Sequence, residues 1–220
     1  MKTGSVSTSI RFSIVFLGIF ILLSGCSTVY YGTWEKLGKH KRDLLRDNVE
    51  DARDEQAEAN ESFKDALTRL RELREFDGGD LEDIYDELNA EYESAQDEAN
   101  DVKERIDAVD EIANDLFEEW QDEIALISNS RMKADSRRKL EKTKTRYAAL
   151  YRSMTQSEKQ MDRVLLQFRD HVLYLKHNLN AQAIGAIAAE TSAIESDISS
   201  LIKSIDRSIE KADVFIKEML

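Results

Sequence analysis

Residues 80–127 read DLEDIYDELNAEYESAQDEANDVKERIDAVDEIANDLFEEWQDEIALI, and the spacing within this stretch decides the fold. Apolar or small residues recur in steps of three and four: Tyr85, Leu88, Tyr92, Ala95, Ala99, Val102, Ile106, Val109, Ala113, Leu116 and Trp120. The series continues through Ile124 and Ile127. A strand would show period two; this spacing sets the side chains along one stripe of an α-helix. Such a helix is about 70 Å long at ~1.5 Å per residue, and it cannot bury its stripe alone. It needs partners of similar length.

The flanking sequence supplies them. Upstream, Leu45, Val49, Ala52, Gln56, Ala59, Phe63, Ala66, Leu70 and Leu73 alternate steps of four and three. Downstream, Leu140, Tyr147, Leu150, Met154, Met161, Leu165, Phe168, Val172, Leu175 and Leu179 fall on one stripe with two gaps. A fourth series runs Ile187, Thr191, Ile194, Ile198, Leu201, Ile205, Ser208, Ala212, Phe215 and Met219. The 220 residues include no proline and eight glycines, and 34 % are charged, a composition that favours long helices over a mixed fold. Disorder is the competing reading of so polar a chain, and the regular apolar spacing argues against it.

Punctuation falls between the series. Thr33 can cap the first helix, Gly78 and Gly79 can end it, and Asp80 with Glu82 and Asp83 suits the start of the second. Ser128, Asn129 and Ser130 read as a tight turn. Arg137, Arg138 and Lys139 lie early in the third helix, where cations are unfavourable unless acid lies alongside. The acidic second helix can supply that acid. At His177, Asn178, Leu179 and Asn180 two arrangements are open: a turn, favoured by two cap residues, or one helix running on from about residue 133 to 220. Short connections make neighbours antiparallel. The expected fold is therefore all-α, an elongated antiparallel bundle or coiled coil of three to four long helices over residues 34–220. Its helices are expected near 34–76, 80–128, 132–178 and 181–219. The small residues Ala95, Ala99 and Ala113 read as close-packed seam rather than as a binding groove.

The amino-terminal segment has a different character. Lys2 and Arg11 give it positive charge without any acid, and residues 12–23 are an apolar run of 12. That is too short for a transmembrane helix, which needs about 20 residues, and it fits the apolar region of a signal peptide. Leu23, Ser24, Gly25 and Cys26 then form a lipobox pattern: an aliphatic residue, two small ones, and a thiol that can take diacylglycerol in a thioether. The expected organisation is a lipoprotein signal peptide over 1–25, a lipidated cysteine and short tether over 26–33, then the helical domain. Cys26 is the sole cysteine, so no intrachain disulfide can form. Lipid on Cys26, palmitate among its acyl chains, would hold the chain on a membrane. The pattern is similar to that of bacterial lipoproteins, and this resemblance implies that the residue after the cysteine matters for sorting. Ser27 is not the aspartate associated with inner-membrane retention. The expected place is the outer membrane, facing the periplasm.

Charge is segregated. The net charge is −13 and becomes −15 once Lys2 and Arg11 are removed, with 30 acids against 7 bases over residues 47–123. Such a balance disfavours nucleic acid as a partner. Catalytic constellations are missing from the sequence. Glu118, Glu119, Asp122 and Glu123 include pairs four apart, but carboxylate-bridged metal bundles use Glu-x-x-His, and none of the three histidines has an acid three residues before it. There is no His-Glu-x-x-His, no phosphate-binding glycine loop, and no serine on a glycine-rich turn. The acidic run reads as a solvated helix face. The expectation is a non-enzyme without cofactor, metal or catalytic residue. The alternative is a ligand- or metal-binding bundle, with hydrolytic activity left open.

Residues 168–181, FRDHVLYLKHNLNA, are denser in distinctive polar groups. Tyr174, Lys176, His177, Asn178 and Asn180 crowd the proposed turn. They read either as a capped helix end or as a contact surface for an envelope partner, and a histidine there can confer pH sensitivity.

The stretch VLYLKHNLNAQAI over residues 172–184, with YDELNAEYESA over 85–95 and LFEEWQDEI over 116–124, resembles an uncharacterised family of Gram-negative bacterial coiled-coil lipoproteins. The family is known as a domain of unknown function. The resemblance covers nearly the whole chain after Cys26. It implies a helical periplasmic lipoprotein and supplies no activity, ligand or active-site residue. The functional expectation is a membrane-anchored structural or protein-interaction scaffold of the cell envelope. Its partners would be the membrane, through Cys26, and an envelope protein of unknown identity; self-association into a homo-oligomer is also open.

Overall fold

The structure, a computed structural model, describes residues 41–74, 81–178 and 181–219, and the side chains of residues 74 and 181–190 are not among those described. The expectations for Cys26, the tether, the first residues of the first helix, Gly78, Gly79, Asp80 and Asn180 lie outside these residues. Two units are distinguished, Met1–Asp43 and Leu44–Leu220; of the first, only residues 41–43 are described.

Among the described residues the chain forms four helices and no strand: α1 (Lys41–Arg74), α2 (Leu81–Leu126), α3 (Ser130–His177) and α4 (Ala181–Met219). None is long and apolar enough to cross a membrane. Side-chain pairs fix how the helices neighbour one another. Arg69 reaches Glu87 at 3.3 Å, and Arg105 reaches Glu55 at 3.2 Å, so α1 and α2 run antiparallel. Trp120 donates to Ser136 at 2.9 Å and Tyr147 to Asp110 at 2.7 Å, which does the same for α2 and α3. Gln167 donates to Asp197 and Arg146 to Glu218, both at 2.9 Å, pairing α3 with α4. Arg53 meets Asp213 at 3.1 Å and Asn60 meets Asp206 at 2.7 Å, closing α4 onto α1. The ring order is α1, α2, α3, α4, an up-down-up-down four-helix bundle.

The core is the one the heptad spacing marks. Leu45, Val49, Ala52, Gln56, Ala59, Phe63, Ala66, Leu70 and Leu73 are all buried on α1, and so are Thr191, Ile194, Ile198, Leu201, Ile205, Ser208, Ala212, Phe215 and Met219 on α4. Ala95, Ala99 and Ala113 are buried as seam residues. On α2 the stripe drifts: Ile112 and Phe117 are buried, whereas Leu116 and Trp120 are only half-buried. A straight helix turns at 3.6 residues rather than 3.5, so the buried face slides over successive heptads.

The α2–α3 connection has the expected three residues but starts two residues earlier than expected. Helix α2 ends at Leu126 rather than 128, and α3 begins at Ser130 rather than 132. Asn129 is the reason: its side chain accepts from the backbone N–H groups of Arg131 at 3.0 Å and Met132 at 3.1 Å, which makes Ser130 the first helical residue. At the other end, α3 stops at His177. Asn178 leaves the helical region at φ −135° and ψ 52°, its N–H donates to the Leu175 carbonyl, and its side chain donates to the Tyr174 carbonyl at 2.9 Å. Helices α3 and α4 are therefore separate. Asn178 does this as a C-terminal cap that satisfies the last carbonyls.

Candidate functional site

Among the described residues, three places in the bundle hold chemistry beyond apolar packing. The first is inside. Gln56 on α1 and Ser157 on α3 face each other across the core, both fully buried, with Gln56 Nε2 donating to Ser157 Oγ at 3.0 Å. Ser157 Oγ donates in turn to the Met154 carbonyl at 2.8 Å. Ser157 fills one of the two gaps in the α3 stripe, where the spacing has no apolar residue. Gln56 Oε1 and the buried Ser208 Oγ on α4 have no hydrogen-bond partner. This layer is enclosed, so it can specify register but cannot meet a large ligand.

The second place is acidic. One carboxylate oxygen each from Glu55, Glu58 and Glu98 lies within 4.8 Å of the others. Burial raises the Glu98 pKa above the ordinary glutamate range, and the nearby charges of Glu58, Asp101, Glu55 and Asp97 add to it. These three side chains could ligate a divalent cation. A positive charge is already at hand, since Arg105 lies 3.2 Å from Glu55 and 3.7 Å from Asp51. Of the other acidic run, from Glu118 to Glu123, two members line an open groove between α2 and α3. There Glu118 and Asp122 stand beside Phe117, Lys144 and Tyr147. Arg138 and Lys139 find their acid within their own helix, at Asp135, 2.8 and 3.2 Å away.

The third place is the carboxyl-terminal end of α3. Tyr174 is 45 % exposed, Lys176 and His177 are exposed, and Asn178 is half-buried in its capping role. Leu166 and Leu173 are also exposed. At 3.6 residues per turn, Leu166, Asp170, Leu173 and His177 form one stripe, with Tyr174 and Lys176 on either side of it. This stripe points away from the core line of Met161, Phe168, Val172 and Leu175. Leu166 has no place in the apolar stripe, and its exposure follows from the packing of α3 between two neighbours. The more enclosed histidine is His171, whose Nδ1 lies 2.8 Å from the Gln167 carbonyl and so carries the proton; its Nε2 is buried without a partner.

The fold and these surfaces define a class: an antiparallel bundle of four long helices with a sealed core. Residues 30–219 match the family described as a protein of unknown function, DUF2959, and the chain belongs to that family. No curated protein and no solved structure matches it.

Proposed function

We propose that the chain is a membrane-tethered, non-enzymatic lipoprotein that docks an envelope partner on the exposed face at the carboxyl-terminal end of α3. The observation that carries this is the stripe of Leu166, Leu173 and Tyr174. These are large apolar side chains left in solvent on a helix whose other face is fully used. Scattered exposed leucines need no explanation; two spaced one heptad apart beside a tyrosine and two cationic or titratable groups make a small amphipathic surface. The lipobox at Cys26 supports the tether, and Ser27 supports the periplasmic face of the outer membrane.

The arrangement suits display. The chain enters the Leu44–Leu220 bundle at one end, and the Leu173–His177 surface lies at the other, since α3 runs parallel to α1. A scaffold held by lipid at its entry end would present this face away from the membrane. The test is site-specific photocrosslinking in intact cells with the reactive residue at Leu173 or Tyr174. A discrete adduct is expected there and not at the exposed Glu111 on α2. The same adducts at all three positions would remove the docking face. A secreted Cys26→Ala form that works as well as wild type would remove the tether.

A second reading, a cation-binding bundle, has the Glu55, Glu58 and Glu98 cluster in its favour. Elemental analysis of the purified protein, with melting in the presence and absence of chelator, separates the two.

A further inference from the structure

Among the described residues, the two most exposed large apolar side chains flank the α2–α3 turn: Leu126 at 83 % and Met132 at 62 %. They stand on a well-fixed turn. Asn129 caps α3, Lys133 Nζ donates to the Ala125 carbonyl at 2.8 Å, and the Ile127 N–H donates to the Ile124 carbonyl at 3.3 Å. A turn held this firmly presents both side chains to solvent together.

Its position in the bundle narrows what can cover them. Arg146 is level with Glu218 near the end of α4, and α3 runs another sixteen residues, about 24 Å, on the amino-terminal side of Arg146. Gln56 opposite Ser157, with α1 and α3 parallel, puts the start of α1 toward that same end. The turn therefore belongs to the end at which the chain enters at Leu44. Cys26 lies eighteen residues before Leu44, a span of at most about 60 Å of extended chain. Lipid on Cys26 would thus keep a membrane surface within reach of this end.

Charge fits the same occupant. Arg131, Lys133, Arg137, Arg138 and Lys139 fall within the first ten residues of α3, against a single acid, Asp135. With Asp122 and Glu123 from the last turns of α2, residues 122–139 still carry a net +2, in a protein of net −13. Apolar side chains framed by Lys and Arg are the pattern of groups that settle at an anionic headgroup layer.

We infer that the α2–α3 turn rests on an anionic phospholipid surface, inserting Leu126 and Met132 and orienting the bundle on its tether. This rests on the lipoprotein reading above. It adds a second membrane contact that holds the α3 docking face away from the lipid.

The test uses the acylated full mature chain in vesicles of phosphatidylethanolamine with about a quarter phosphatidylglycerol, some lipid carrying a nitroxide quencher. Cys26 is the sole natural cysteine and is blocked by lipid, so a fluorophore can be placed on Met132→Cys alone, or on Lys176→Cys at the far end. Quenching about threefold stronger at position 132 than at 176 is expected, falling to the far-end level in a Leu126→Asp/Arg131→Asp background that still floats with the vesicles. Equal quenching at both positions in floated protein, or stronger quenching at 176, overturns the inference while leaving the anchor intact. A chain that does not float removes the anchor and, with it, this contact.

Discussion

At the scale of single residues, the Gln56–Ser157 pair shows how a heptad stripe can contain polar members without failing. Each group is enclosed, and their mutual hydrogen bond offsets part of the desolvation; an unpartnered buried acceptor still costs about 1–3 kcal/mol. Gln56→Ala should therefore lower stability by about 2–4 kcal/mol, through lost volume and the lost bond to Ser157, whose hydroxyl keeps the Met154 carbonyl. The pair of changes Gln56→Met with Ser157→Ala should be neutral or stabilising in urea melts, because it removes both polar partners while keeping volume. Destabilisation by the double variant as large as by Gln56→Ala would mean that the pair contributes more than register. Tyr147 makes a second residue-scale case. Burial is the main cause that pushes its hydroxyl pKa well above the ordinary tyrosine value, and the bond to Asp110 adds to this. An unfolded tyrosine ionises near pH ~10, so above that pH the folded state holds the extra proton and stability falls as pH rises. Tyr147→Phe should cost about 1 kcal/mol at neutral pH and flatten that alkaline loss, as read from melts between neutrality and pH ~11.

At the scale of elements, α2 carries the sharpest electrostatic strain. Residues 81–126 hold 18 acids and 2 bases, and the Glu98 pKa is raised by burial and by the charges of Glu58, Asp101, Glu55 and Asp97, two of them from α1. A raised carboxyl pKa means that the folded chain binds the proton more tightly than the unfolded one. Stability is then gained as pH falls toward the ordinary glutamate range, near ~4.3, and lost as pH rises above it. Glu98→Gln should raise the Tm at pH 7 and make little difference near pH 4. A Tm lowered at pH 7 would mean that the carboxylate is held by a cation, as the alternative reading requires. The α2–α3 turn depends on one side chain. Asn129→Ala removes two hydrogen bonds to the first turn of α3 and should cost about 1 kcal/mol, while Asn129→Asp should be tolerated.

At the scale of the whole molecule, the bundle opposes an acidic α2 with a basic α3, which holds 13 bases and 5 acids over residues 130–177. Few of these charges form close pairs between the two helices; Arg138 and Lys139 turn to Asp135 instead. Exposed ion pairs such as Arg69–Glu87 contribute about 0–1 kcal/mol each, while repulsion along α2 and the net charge of −13 act over the whole protein. Salt at about 0.5 M shortens the screening length to a few Å and should raise the Tm. A fall in Tm would mean that the interhelical pairs outweigh the repulsion. The exposed surfaces follow the same scale: Leu126 and Met132 at the entry end, Leu173 and Tyr174 at the other, separated by the length of a sealed core.

Periodicity alone determined the all-α fold and most core residues, because an amphipathic stripe with a step of three or four has one way to leave water; the separation of α3 from α4 was decided by the Asn178 cap. Periodicity also placed Gln56, Thr191 and Ser208 inside, since position on a stripe outranks side-chain polarity when both neighbours are apolar. What it could not determine was which atoms meet. The burial of Phe117 instead of Leu116, the start of α3 at Ser130 and the carboxylates of Glu55, Glu58 and Glu98 brought together across two helices all depend on helix rotation and register. Those are settled only when four long surfaces pack against one another, because each helix then adjusts its twist and level to fill the space its neighbours leave.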